Sequence, residues 1–194
     1  MSRTKAFDEK AILEKAMQLF WCKGYNATSV QDLVADLGIS RSSLYDTFGD
    51  KHQLYLNALQ QYRRQMGGAM MDMIGQSTDI RQTLHDLFDM AVRESISDKL
   101  QKGCFMVNST VELAAWHQDV AEIARKNMED VEEAFYQAIQ KGQQNEQISK
   151  KHDARALARF FFNSMNGLRV AAKSGSRQDT FQDIVNVSLS VLDD

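Results

Sequence analysis

Not one of the 194 residues is proline. Proline fixes φ and removes a donor amide, so it is a common terminator of helices. A chain that never uses it, and is rich in Ala, Leu, Gln, Glu, Lys and Met, is disposed to long helices that only glycine and capping side chains interrupt. Hydrophobic residues make up 43% of the sequence, enough for a core. The expected fold is all-α with about nine helices. The length fits one compact domain, or a small module joined to a larger one.

Helical periodicity divides the chain. A first helix is expected from about Asp8 to Lys23, with Phe7, Ile12, Ala16, Leu19 and Phe20 recurring at helical spacing and Gly24 as its stop. In "GYNATSV", Thr28 or Ser29 can cap a second helix carrying Val30, Leu33, Val34 and Leu37 as one stripe. Gly38 breaks it, Ser40 caps again, and a short third helix from about Arg41 to Phe48 turns Leu44 and Phe48 inward. Asp50 can cap a longer helix from Lys51 to about Ile74, in which Gly67–Gly68 marks a candidate bend or end. Further helices are expected over Ile80–Ile96, Cys104–Ala114, Val120–Lys141, Asp153–Lys173 and Asp179–Leu192.

Three short helices joined by tight turns, with Gly38 and Ser40 at the second turn, have the layout of a helix-turn-helix. The outer side of the third helix carries Arg41, Ser42, Ser43, Tyr45, Asp46 and Thr47, nearly all hydrogen-bonding residues. Arginine neutralises phosphate, hydroxyls donate to phosphate oxygens, and a helix N-terminus adds amides and a favourable dipole. Periodicity alone leaves open a plain solvated helix in a bundle. Charge distribution leans towards nucleic acid: residues 1–65 hold nine basic and seven acidic side chains, whereas 66–194 hold 14 basic and 19 acidic, for a net −3 overall.

The string "LFWCKGYNATSV" followed by "QDLVADLGISRSSLYDTFGDKHQLYLNAL" resembles the DNA-binding head of the TetR family of transcriptional regulators. The likeness covers about residues 8–57 and departs at Val34, where many members carry alanine. It implies a helix-turn-helix domain over residues 1–50 and a helical effector-binding and dimerisation domain over 51–194. It also implies a double-stranded DNA operator as partner, contacted by Thr28, Ser40, Arg41, Ser42, Ser43, Tyr45 and Lys51. Arg3 and Lys5 are expected to add phosphate attraction. The last two long helices would form the homodimer interface. There "ARFFFNSMNGLRVAAKSG" offers surplus apolar surface and Gly167 permits close approach, while the final helix is apolar nearly all round. Two recognition helices held about 34–36 Å apart would read a palindrome in successive major grooves.

A second string, "KGCFMVNSTVELA", is similar to a Gly-Cys subgroup of the family that includes NemR-like repressors, some of which sense electrophiles or oxidants through that cysteine. Cys104 falls at an expected helix N-terminus near Lys99 and Lys102, where the dipole favours a thiolate. The alternative is a packed thiol in a body that takes a reversible ligand. For such a small apolar or aromatic effector the expected lining is Phe88, Phe105, Trp116 and Phe135 with Met90, Met106, Met128 and Met165. His85 and His117 are candidate polar anchors, and Cys22 beside Trp21 is expected to pack. The head-to-body lever is expected to be the helix starting at Lys51, with Gly67–Gly68 as hinge.

Other classes lack support. No GxSxG, HExxH, phosphate-binding loop or dinucleotide fingerprint occurs, so no enzyme is expected. The spacing of histidines and of the two cysteines makes no metal set and no disulfide scaffold, so no metal and no cofactor is expected. No apolar run approaches the roughly 18 residues that span a bilayer. "MSRTKAFDEK" is no signal peptide, so a cytoplasmic location without membrane attachment is expected. A helical protein–protein module without specific DNA binding is the competing reading.

Overall fold

The computed structural model describes residues 7–193. Among the described residues the chain forms nine helices and no strand. They are α1 (Glu9–Lys23), α2 (Val30–Leu37), α3 (Arg41–Phe48), α4 (Lys51–Gln76), α5 (Ile80–Ser97), α6 (Phe105–Leu113), α7 (Gln118–Gln144), α8 (Ala154–Lys173) and α9 (Gln178–Ser190). None of them is long and apolar enough to cross a membrane. Arg3 and Lys5 lie outside the described residues.

Capping explains where these helices begin. Asp8, Ser29, Ser40, Asp50, Asp79 and Asp153 each accept an amide from the first turn that follows, satisfying donors the helix itself leaves free. Ser29, not Thr28, caps α2. Its hydroxyl takes the Asp32 amide at 3.1 Å and the Asp32 carboxylate takes the Ser29 amide at 2.8 Å, a reciprocal capping box. The residues before α6, α7 and α9 are Cys104, His117 and Arg177, and none of their side chains makes a capping bond. Glycine ends the early helices: Gly24 at φ +85° and Gly38 at φ +67° take left-handed conformations costly to other residues.

Gly67 and Gly68 neither end nor divide α4, which runs on to Gln76. Its later part lies against α5 and α7, and that packing offsets a helix-propensity cost of about 1 kcal/mol per glycine. The expected hinge is therefore an unbroken piece of helix.

Two hydrophobic clusters organise the chain. The first joins α1–α3 and the opening half of α4 to Phe105, Met106 and Leu113 of α6 and Val120 of α7. The second unites α5, the latter half of α7, α8 and α9 around Phe88, Phe135, Phe161 and Phe181. The helix-turn-helix thus shares its core with α6. Tyr55, fully buried, meets Phe20 edge-on at 5.0 Å and Phe105 at 5.5 Å, and its hydroxyl lies 2.6 Å from that of Ser109.

Candidate functional site

The outer face of α3 is open. Leu44 and Phe48 are buried and anchor the helix, which leaves Ser40, Arg41, Ser42 and Asp46 exposed, Ser43 half-buried and Tyr45 39% exposed. The Ser40 hydroxyl accepts the Ser43 amide at 3.1 Å and lies 3.0 and 2.9 Å from the Ser42 and Ser43 hydroxyls. A compact hydroxyl cluster thus sits at the positive end of a helix dipole. The Arg41 guanidinium lies over the Tyr45 ring, 5.9 Å from its centroid.

Two expected contacts stand apart from that face. Thr28 is fully buried, and its hydroxyl donates to the Gly24 carbonyl at 2.6 Å. Its side chain locks the α1–α2 loop and is not presented to a phosphate. Lys51 is half-buried with its ammonium 4.2 Å from the Tyr25 ring centroid. Burial pushes its pKa down, while the carboxylates of Glu112 and Asp32 oppose that shift.

The α1–α2 loop is held from the body. The Glu112 carboxylate, on α6, accepts the Tyr25 amide at 3.1 Å and the Asn26 amide at 2.8 Å. A Cβ at Gly24 would come within 2.9 Å of that carboxylate, so any larger residue, besides straining the φ of +85°, would have to displace the Glu112 side chain. Trp21 donates its indole N–H to the Gly103 carbonyl at 3.1 Å, just ahead of Cys104. Cys22, expected to pack, is exposed, because the neighbouring Trp21 and Phe20 take the inward positions of that turn.

The seam between the two hydrophobic clusters contains a cavity of about 140 Å³, bounded by α4, α5, the start of α6, α7 and α8. Cys104 lies on its wall and also on that of an adjoining, more open groove of about 380 Å³. The Tyr62 hydroxyl donates to the Cys104 sulfur at 3.4 Å. Burial pushes the Tyr62 phenol well up, so it stays a protonated donor. Arg169 of α8 reaches the same cavity, with only 17% of its side chain exposed, and donates to Glu94 at 3.0 Å. Lys102, expected beside the thiol, stacks its ammonium 4.4 Å from the Trp21 ring centroid.

Of the expected lining, Cys104, Phe135, Met90, Met106 and Met165 come together here. Phe88 and Phe105 do not: they are sealed inside the second and first clusters, one pointing into the α5–α8 contact and the other under Tyr55 and Tyr62. Trp116 is 84% exposed in the α6–α7 turn, far from an enclosed lining position. Met128 lines the outer groove alone. Tyr62, Glu94 and Arg169 went unread in the sequence. The signal for Arg169 was a lone cation inside the otherwise apolar "MNGLRVAA".

Histidine spacing offered no metal set, yet folding builds a candidate one. His52, His117 and Asp119 bring their ligand atoms within 4.8 Å of one another. His85 stands apart on the surface beside Asp89.

An open recognition face on a helix-turn-helix, tied through α6 to a cavity in a helical body, defines a DNA-binding transcriptional regulator. The model described as "Bacterial regulatory proteins, tetR family" matches residues 12–58, and "Tetracyclin repressor-like, C-terminal domain" matches residues 80–186. The chain belongs to the TetR family of bacterial transcriptional regulators. It is 34% identical over the full length of both chains to the uncharacterized HTH-type transcriptional regulator YezE of Bacillus subtilis (strain 168). It is 28% identical to the HTH-type transcriptional repressor ComR of Escherichia coli (strain K12), across 96% of this chain and 90% of that one. Among solved structures, a cysteine mutant of the TetR family regulator CifR, complexed with 26bp double-strand operator DNA, superposes with a TM-score of 0.85 at 26% identity. That alignment covers 98% of this chain and 100% of the other.

Proposed function

We propose that the protein is a repressor that binds a palindromic operator as a homodimer and is released by an effector in the Cys104 cavity. The observation that carries this reading is the exposed hydroxyl-and-arginine face of α3, held rigidly by Leu44 and Phe48. Ser40, Arg41, Ser42, Ser43 and Tyr45 are the proposed contacts. Lys51 steadies the head from the Tyr25 ring, and Thr28 is assigned a structural role. The operator complex of the CifR mutant supports the same docking for this chain.

The proposed dimer surface is the outer stripe of α8, where Ala156, Phe160, Asn163, Gly167 and Val170 are exposed at helical spacing, with Val187 exposed on α9. Apart from its chain neighbours and the nearby backbone of α8, no atom of the described residues lies within 4 Å of a Cβ position at Gly167, leaving it open to a partner helix. DNA binding and the lack of a membrane-crossing helix among the described residues fit action in the cytoplasm.

The proposed effector is a small apolar or aromatic compound, or an electrophile of that shape. Methionine and phenylalanine walls supply the apolar surface, and Tyr62, Asn166 and Arg169 supply polar anchors. The Cys104 thiol, under the Tyr62 hydroxyl and on the same wall as Arg169, is the one nucleophilic side chain of that cavity. Occupancy would act on the operator by its different affinity for two arrangements of α6, whose Ser109 and Glu112 grip the head.

Gel retardation of genomic fragments at two salt concentrations tests the first part. Specific retardation that weakens steeply with salt is expected. Arg41→Ala and Tyr45→Phe should each cost about 1 kcal/mol or more of operator affinity. Retardation by the double variant equal to wild type would remove α3 from the contact. For the effector, a mild quinone should release wild type and spare Cys104→Ser. Equal release of both excludes the thiol as sensor.

A further inference from the structure

The geometry points to a divalent transition-metal site made by His52, His117 and Asp119 at the joint between head and body. His52 is the second residue of α4, directly after the recognition unit; His117 precedes α7, and Asp119 lies in its first turn. The three belong to segments 65 residues apart in the chain, yet their ligand atoms all lie within 4.8 Å of one another.

Three features favour an ion over an incidental cluster. His52 Nε2 and Asp119 Oδ2 are 2.7 Å apart. Two ligands on a tetrahedral zinc with bonds of about 2.0–2.1 Å stand roughly 3.3 Å from each other, so binding needs only a slight parting of the pair. The His52 and His117 rings stack at 4.8 Å and 30°, which holds the two imidazoles side by side. His117 caps α7 by position, yet its side chain makes no capping bond, so its nitrogens are uncommitted to the backbone.

The Tyr25 ring walls the site, edge-on to His52 at 5.7 Å and to His117 at 5.9 Å. The His52 and Asp119 side chains are 25% and 46% exposed, so an ion can enter from solvent and complete its coordination with water. Two imidazoles and one carboxylate suit first-row divalent ions of intermediate softness and not calcium or magnesium. Such an ion ties the start of α4 to the start of α7, and with it the head to the body. The site stands whether or not the operator reading holds, because its test does not use DNA.

Calorimetric titration of the full chain with zinc chloride at about pH 7.5, where histidine is mostly neutral, tests it. One zinc per chain is expected. His117→Ala and Asp119→Asn should each weaken binding by at least about tenfold, since loss of even an outer-shell partner costs that much. His85→Ala, at the surface histidine next to Asp89, should bind as wild type. Nitrogen resonances of the wild-type imidazoles give a readout that no folding defect in a variant can mimic. Of the four histidines in the chain, only His52 and His117 should shift on adding zinc. No stoichiometric binding, unchanged affinity in both variants, or shifts centred on His85 or His152 would overturn the assignment.

Discussion

Gly24 carries two constraints at once: its φ is +85°, and the Glu112 carboxylate fills the space a methyl group would need. Gly24→Ala should therefore lose stability by about 1–3 kcal/mol, read as a lower Tm, because the new Cβ must either distort the backbone or expel the carboxylate. A few residues on, the Asp32 carboxyl is held down to about 2 by hydrogen bonds from the Ser29 hydroxyl and amide and then from Lys23. Its ordinary value is 3.8, so the depressed folded value means the carboxylate's contribution is complete above that pH and fades as pH falls through about 2. An NMR pH titration should find Asp32 still ionised at about pH 3, where an ordinary Asp is mostly protonated. A midpoint near the ordinary value would show the capping box to be open in solution. Ser29→Ala should cost about 1 kcal/mol.

At the level of helices, α6 does more than its nine residues would indicate. It supplies Phe105, Met106 and Leu113 to the head's core, Ser109 to Tyr55, and Glu112 to the α1–α2 loop. Glu112→Ala should expose the Tyr25 and Asn26 amides, seen as faster hydrogen exchange at those two positions with the α3 core unchanged. Unchanged exchange would argue that the loop is held by other means. The head was legible from sequence because its signals are local: glycine stops, serine caps and an i, i+3, i+4, i+7 stripe. The cavity was only half legible. A heptad-scale pattern says that Phe88, Phe105 and Phe135 face inward but not into which of two cores, and only Phe135 meets the seam. Tyr62 and Cys104 lie 42 residues apart and His52 and Asp119 lie 67 apart, so the packing of α4 on α6 and α7, not spacing, brings them together. Trp116 misled because an aromatic in a turn between apolar helices has no periodic position from which its direction can be inferred.

For the whole molecule, the proposed homodimer makes operator affinity depend on two heads held together. One recognition helix makes few contacts, so on that proposal the outer stripe of α8 matters as much as α3. Phe160→Glu places a charge in that stripe and should yield a monomer by light scattering. Operator affinity should fall by a factor on the order of 10², as expected when linked sites are separated. A variant that stays dimeric, or a monomer with undiminished affinity, would redirect the search for the interface. The first hydrophobic cluster bears on attempts to transplant specificity. Because Phe105, Met106, Leu113 and Val120 complete the packing under α1–α3, residues 1–50 are not a detachable cartridge. A chimera that exchanges only those residues with a relative would mate the new segment to a foreign α6. Interchangeable heads must therefore travel with the α6 surface that fits them.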